Sequence, residues 1–367
     1  MKILLAAGGT AGHIEPALTL ADSMRADDPA TEIVVVGRAE GLEARLVPER
    51  GYRLRTVPAV PLPRRPSKDL ALVPGRVAGS VRSMLKILRE EQPDVVVGFG
   101  GYVALPAYVA ARRAGVPLVI HEANARAGMA NRVGARMTRW VAEAAPSGLP
   151  HATRVGMPLR PSIVDLAESP ERTERRRAAR AHFGLEPDTT TLLVFGGSLG
   201  AAHINDIFTA AADAIGAAGI QVLHAVGERG IGVRPLRQRD AGEPAYLTVP
   251  YLDRMDLAYA AADLAVTRAG AMTCAELAAV GLPAVYVPLP IGNGEQRLNA
   301  QPVVESGGGL IVDDADLTEA VVRDTVIPLA LNAPLLESMG SAAAALGVRD
   351  GDRRLGDLVR AAAGARA

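Results

Sequence analysis

Residues 4–18 read LLAAGGTAGHIEPAL. A short apolar run closes on Gly8, Gly9 and Thr10, and the segment beyond this turn reads as a helix. Runs so short, and apolar at successive positions, mark a strand buried on both faces, as in a parallel sheet. The same succession returns at residues 192–204 as LLVFGGSLGAAHI, again with a histidine on the following helix. Each copy opens a strand-helix series of its own, so the sequence predicts an α/β chain of two doubly wound domains in tandem.

The first series continues outward from its turn as EIVVVG, DVVVGFG and PLVIHE, the second as QVLHAVG, DLAVTR and AVYVPL. Between these runs lie segments of helical length, at 17–26, 103–114, 205–218 and 272–280. Short strands alternating with helices imply parallel sheets joined by right-handed crossovers. In VGMPLRPS, residues 155–162, Gly156, Pro158 and Pro161 interrupt regular structure. The expected boundary therefore separates residues 1–157 from 158–348, with a C-terminal helix over about 349–367 packing back on the first domain. A chain of 367 residues exceeds what one core usually holds.

Composition narrows the function. Hydrophobic residues make up 49% and charged ones 22%, which is globular rather than disordered. The formal net charge is zero, so nothing favours a nucleic-acid partner held by bulk charge. A single cysteine, Cys274, excludes an intrachain disulfide and any multi-cysteine metal site, and suits a reducing compartment. The apolar start is broken by Gly8, Gly9 and His13, too early for a secretory signal. The longest apolar stretch, 277–292, carries Gly281, Pro283, Pro288 and Pro290, so no membrane span is expected and the location is read as cytoplasmic.

A glycine turn between a buried strand and a helix lets backbone N–H groups approach an oxygen-rich ligand, most often phosphate. Neither GGTAG nor GGSLG has the dinucleotide order G-x-G-x-x-G, and the absence of any Gly-Lys pair excludes a Walker A loop. RAGAMTCAELAAVGLP, residues 268–283, is more pointed. There a strand ends at Arg268, Gly270 permits a turn, Thr273 is placed to cap the helix, and Glu276 lies about one turn further on. Such a helix start suits a diphosphate and its carboxylate a ribose; the competing reading is a capping box. Gln296 and Asn299 share one helical face beyond the next strand, where their amides can read sugar hydroxyls. In the first domain Gly100, Tyr102, His121, Glu122 and Asn124 fall with His13 at the carboxyl ends of strands, where open sheets bind ligands.

Three further segments have simpler readings. DDAD at 313–316 contains a D-x-D but stands before LTEAVV, so helix capping is preferred over metal binding. The arginine-rich ERTERRRAARAH at 171–182 reads as a solvated helix face. LALVPGRVAGSVRSMLKILRE at 70–90 mixes apolar residues with Arg76, Arg82, Lys86 and Arg89 at helical spacing, which fits either a core-facing helix or a membrane-surface segment.

GGTAGH, GFGGYVALPA, HEANARAG, VGMPLR, GGSLGA, RAGAMTCAEL and EQRLNA, taken in this order from residue 2 to about 310, resemble the MurG family. The resemblance implies the GT-B fold, two Rossmann-like domains facing a cleft. It implies an inverting N-acetylglucosaminyltransferase that uses UDP-N-acetylglucosamine and the undecaprenyl-linked muramyl acceptor, lipid I, at an anionic membrane surface on the inner face of the cell membrane, with no metal cofactor. By similarity Glu276 binds the ribose, Leu252 the uracil edge, and Ala271, Met272 and Thr273 the diphosphate and sugar. Ser198 and Arg160 face the diphosphate, and Gln296 the N-acetylglucosamine hydroxyls. Thr10, Ala11, Gly12, His13 and Asn124 meet the transferred sugar or acceptor, with His13 the general base, and the two glycine turns serve the donor and acceptor phosphates. Against the commonest family wording, Ala11 replaces a glycine, Ala123, Leu199 and Glu295 a glutamine, and Met157 an asparagine; Leu199 and Glu295 matter most, since they remove amides expected to meet phosphate or sugar. Two other readings are open: the same fold acting on another glycolipid or glycoside or epimerising the UDP-sugar, and a non-catalytic UDP-sugar-binding subunit.

Overall fold

The computed structural model describes residues 1–58, 73–197, 201–227, 244–291 and 293–365. The chain forms two compact units, Met1–Arg160 with Asp350–Ala367 and Pro161–Arg349. The division at Arg160/Pro161 falls three residues beyond the sequence-based boundary, and the chain's last segment belongs to the first unit.

The first unit runs β1 (Lys2–Ala7), α1 (Ala11–Asp27), β2 (Glu32–Gly37), α2 (Glu43–Glu49), β3 (Arg53–Thr56), α3 (Val73–Glu91), β4 (Val95–Gly100), α4 (Ala104–Ala114), β5 (Leu118–Glu122), α5 (Met129–Gly134), β6 (Trp140–Glu143) and β7 (Ala152–Arg154). Its seven strands lie in the order β3-β2-β1-β4-β5-β6-β7, all parallel. Alternation along β1 sorts the core into two layers. Ile3 and Leu5 pack with Ile14, Leu18 and Met24 of α1, whereas Leu4 and Ala6 pack with Val81, Met84 and Leu88 of α3 and with α4. The helix of the opening stretch begins at Ala11 and runs through Pro16, six residues earlier than the apolar pattern alone indicates. Pro16 sits in the second turn and withdraws only one backbone N–H, so the helix continues.

The second unit comprises α6 (Pro161–Glu168), α7 (Arg172–Phe183), β8 (Thr191–Phe195), α8 (Ala202–Ala210), α9 (Ala212–Ala217), β9 (Gln221–Ala225), β10 (Tyr246–Val249), α10 (Met255–Ala261), β11 (Leu264–Thr267), α11 (Ala271–Val280), β12 (Ala284–Tyr286), α12 (Glu295–Glu305), β13 (Gly309–Ile311), α13 (Glu319–Val321), a π-turn at Val322–Val326, α14 (Ile327–Leu331) and α15 (Ala333–Leu346). Its sheet has the order β10-β9-β8-β11-β12-β13, again parallel throughout. In both sheets the order in which strands are added reverses beside the strand that precedes a glycine-rich turn, β1 in one and β8 in the other. That switch point is where open α/β sheets leave a crevice.

The final helix, α16 (Gly351–Gly364), buries Leu355, Val359 and Ala362 against α1 in the first unit. The arginine-rich α7 is solvated except at its buried Ala179 and at Arg180, which is 3% exposed and donates to Ala261 O, Pro187 O and Asp263. There the solvated-face reading fails, because one arginine is needed to satisfy carbonyls at the base of the sheet. Among the described residues no helix is long and apolar enough to cross a membrane.

Candidate functional site

In the first unit β1 ends against Gly8 and Gly9, the latter at φ 97°, and Thr10 serves as the N-cap of α1. Thr10 O accepts from the N–H groups of His13 and Ile14. Its hydroxyl makes no cap bond and lies 3.1 Å from His13 Nδ1. A Cβ at Gly100 would stand 3.1 Å from the His13 ring, and one at Gly101 would collide with the carbonyl of Gly8. These glycines therefore admit the protein's own imidazole and backbone. His13 is half-buried, and burial lowers its pKa against the opposing effects of the Glu122 charge and a hydrogen bond to the Gly8 backbone. A neutral ring able to accept a proton is the result.

Glu122, at the end of β5, is 2% exposed and saturates both its oxygens. Oε1 accepts from the backbone and side chain of Asn124, and Oε2 from Gly128 N and Asn131 Nδ2, the backbone bonds being 2.9 Å. Asn131 in turn accepts from Tyr108 Oη at 2.6 Å. Asn124 is thus pinned beside the strand ends. Asn131 carries the arrangement, yet in sequence it is one polar residue within MANRVG, with no local signal of what it meets. His121 is different from its neighbours: fully buried, it donates from Nε2 to Gly156 O at 2.9 Å, and burial lowers its pKa. It holds the segment leaving β7 and does not face a crevice. Arg160 is the half-buried last residue of the unit's first segment.

In the second unit Gly270 is the N-cap of α11, with no side chain capping it; the first intrahelical bond is Cys274 N to Gly270 O. Thr273 is therefore not a cap. The N–H groups of Ala271, Met272 and Thr273 precede that first bond, the arrangement of an anion-binding helix start. Glu276 stands six residues past the N-cap, whereas a capping box needs three. It is 3% exposed and accepts from Tyr259 Oη of α10 at 2.9 Å. The capping-box reading is excluded by position.

Two amides of α12 grip the peptide just ahead of this helix. Gln296 Oε1 accepts from Ala269 N at 3.1 Å and Leu289 N at 2.9 Å, while Asn299 Nδ2 donates to Ala269 O at 3.3 Å. Arg268 donates to Val287 O and Pro288 O and pairs with Asp314, which also meets His203 of α8. Gln296, Asn299 and Asp314 thus converge on the turn at 268–270. The acidic run is corrected here: Asp313 pairs with Arg297, and Thr318 caps α13 by accepting from Val321 N, because the helix starts three residues beyond the run. Glu295 reciprocates with Asn293 at the start of α12. Leu252 is buried just after β10. Ser198 and Leu199 lie outside the described residues. Thr10, Ala11, Gly12, His13 and Asn124 gather at the strand ends of the first unit, and Leu252, Ala271, Met272, Thr273, Glu276 and Gln296 belong to the second.

Residues 3–143 match the glycosyltransferase family 28 N-terminal domain and residues 191–355 its C-terminal domain. A protein of Acidothermus cellulolyticus named UDP-N-acetylglucosamine--N-acetylmuramyl-(pentapeptide) pyrophosphoryl-undecaprenol N-acetylglucosamine transferase is 57% identical over 371 aligned residues, spanning 100% of this chain and 99% of its own. A Streptomyces coelicolor protein of the same name is 55% identical, with 100% of both chains covered. The crystal structure of Acinetobacter baumannii MurG superposes with a TM-score of 0.78 at 27% identity, covering 98% of this chain and 99% of the other. With both domain matches in order and relatives aligned from end to end, the chain belongs to glycosyltransferase family 28 and, within it, to the MurG N-acetylglucosamine transferases of GT-B fold.

Proposed function

We propose that the protein transfers N-acetylglucosamine from UDP-N-acetylglucosamine to the 4-hydroxyl of the N-acetylmuramyl group of undecaprenyl-linked lipid I, with inversion, giving lipid II for peptidoglycan synthesis. The observation that carries this reading is the 57% identity to a named transferase along the whole chain. In it, Glu276 accepts from the ribose hydroxyls, and the N–H groups of Ala271, Met272 and Thr273 hold the diphosphate and sugar. Leu252 meets the uracil edge; Ser198 and Arg160 face the diphosphate. Gln296 keeps its amide nitrogen for a sugar hydroxyl while its oxygen anchors Ala269. Thr10, Ala11, Gly12 and Asn124 meet the acceptor, and His13 removes the proton of the attacking hydroxyl. The leaving diphosphate is stabilised by the helix dipole and Arg160, and the step needs no metal.

The acceptor is anchored in lipid, so the protein works as a peripheral enzyme on the inner face of the cell membrane. In α3, Val81, Met84 and Leu88 belong to the core, which leaves Arg76, Arg82, Lys86 and Arg89 exposed as the basic surface for anionic lipid. Purified protein given UDP-N-acetylglucosamine and a panel of lipid I, a diacylglycerol and a simple glycoside, with and without a chelator, tests the reading. UDP release coupled to sugar transfer onto lipid I alone, insensitive to chelation, is the expected result. Transfer to another acceptor, or 2-epimerisation of the donor, refutes it.

A further inference from the structure

The first glycine-rich turn has a neighbour that its sequence does not announce. Glu43, the first residue of α2, is completely buried. Its Oε1 accepts from Arg38 N at 2.8 Å and its Oε2 from Gly9 N at 3.4 Å. A Cβ at Gly8 would come within 2.8 Å of Oε1, and one at Gly37 or Gly41 would overlap the side chain outright. Three glycines from three segments thus clear the space of one carboxylate. The opposite side of the turn is closed by Gly101 against Gly8 and by Tyr102 near Gly9. Gly9 N–H is therefore committed inward rather than offered to a phosphate.

We propose that Glu43 is a positioning residue for the acceptor site: by holding Gly9 N–H it sets the turn that carries Thr10 and, through the start of α1, His13. It touches neither substrate nor reacting atoms. This inference rests on the transfer reaction proposed above. An amide has a single acceptor oxygen, whereas both oxygens of Glu43 take an N–H, so Glu43→Gln must set its NH2 against either Gly9 or Arg38. Gly41→Ala tests the same space from the other side, since the backbone of Gly41 is outside the left-handed region while the new Cβ strikes the carboxylate.

The experiment compares parent, Glu43→Gln, Gly41→Ala and the double variant for kcat on lipid I, UDP affinity by calorimetry, and the titration of His13 by NMR, assigned with His13→Ala. Each single variant is expected to lose about tenfold or more in kcat, because displacement of a reacting group by a fraction of an ångström costs rate. UDP affinity is expected to stay within about twofold, and the double variant to lose no more than the worse single one, as for residues acting through one contact. His13 should titrate closer to the ordinary histidine range as its turn loosens. Unchanged kcat and unchanged His13 titration overturn the proposal, as do multiplicative losses in the double variant. A parallel loss of UDP affinity and cooperative melting makes Glu43 a general structural brace and overturns it too. If the parent transfers no sugar, the function proposed above fails, and the His13 titration still decides the link from Glu43 to His13.

Discussion

His13 and Glu276 make opposite demands on their surroundings. As the proposed base His13 needs a bare nitrogen, and burial favours its neutral form. For a histidine whose pKa is lowered, the base stays competent as the pH falls below the ordinary histidine range near 6.5 and is lost only at more acid pH. The acid limb of the kcat profile is therefore expected below that range, and His13→Ala should abolish the limb while lowering kcat about a hundredfold or more with little change in UDP affinity. An acid limb retained in the variant assigns it to another group. Glu276, in its proposed ribose role, presents acceptors from a fixed place, held by the hydrogen bond it accepts from Tyr259. Glu276→Ala is expected to weaken UDP binding by roughly 1.5–3 kcal/mol, the usual worth of hydrogen bonds to a charged group. Calorimetric titration reads that loss directly; unaltered UDP affinity in a folded variant removes Glu276 from the ribose site.

At the scale of elements, α3 shows how one amphipathic pattern serves two surfaces. Its apolar stripe covers the sheet through Val81, Met84 and Leu88, with Val77 and Leu85 at the margin, so the exposed face is basic rather than apolar. The membrane binding proposed for this face would be chiefly electrostatic and fall with ionic strength. Replacing Arg82, Lys86 and Arg89 by Glu should abolish sedimentation with vesicles containing anionic lipid at low salt and leave UDP affinity unchanged. Equal sedimentation of the variant excludes α3 as the docking face. Leu72, which the sequence groups with this stripe, lies outside the described residues. In the second unit, α11 and α12 cooperate through a single peptide. The amides of Gln296 and Asn299 hold both polar groups of Ala269, so the helix that would meet the diphosphate starts from an immobilised turn.

On the scale of the molecule, each unit has a core of its own, and the C-terminal α16 completes the first. Removing residues 350–367 takes away Leu355, Val359 and Ala362 and uncovers the face of α1 they protect. Burial of a full aliphatic side chain contributes on the order of 1.5–3 kcal/mol, an upper estimate, so truncation should cost the first unit several kcal/mol. Scanning calorimetry is expected to show the transition of Met1–Arg160 at lower temperature, with the UDP-stabilised transition of Pro161–Arg349 kept. If the truncated chain loses UDP stabilisation, the two units do not fold independently.

The α/β class, the tandem arrangement and the central strands are legible in the sequence from short apolar runs and glycine turns, and the family from the resemblance of seven ordered motifs, all of them local features of covalent order. The strands the sequence leaves unmarked, β3, β6, β7, β10 and β13, are only partly buried and so carry no run apolar on both faces, whereas β11 and β12, equally short, are buried throughout. What the glycines and polar residues do was decided by tertiary structure alone. Gly8, Gly37 and Gly41 are small because Glu43 lies among them, Gly100 because His13 does, and Glu122 is saturated because Asn131 arrives from another element. DDAD looked like a cap only because its partners, Arg297 and Arg268, lie 16 and 46 residues back in the chain. A residue's type limits the bonds it can make, but only folding supplies the partner, since buried polar groups are satisfied by whichever segment packs against them.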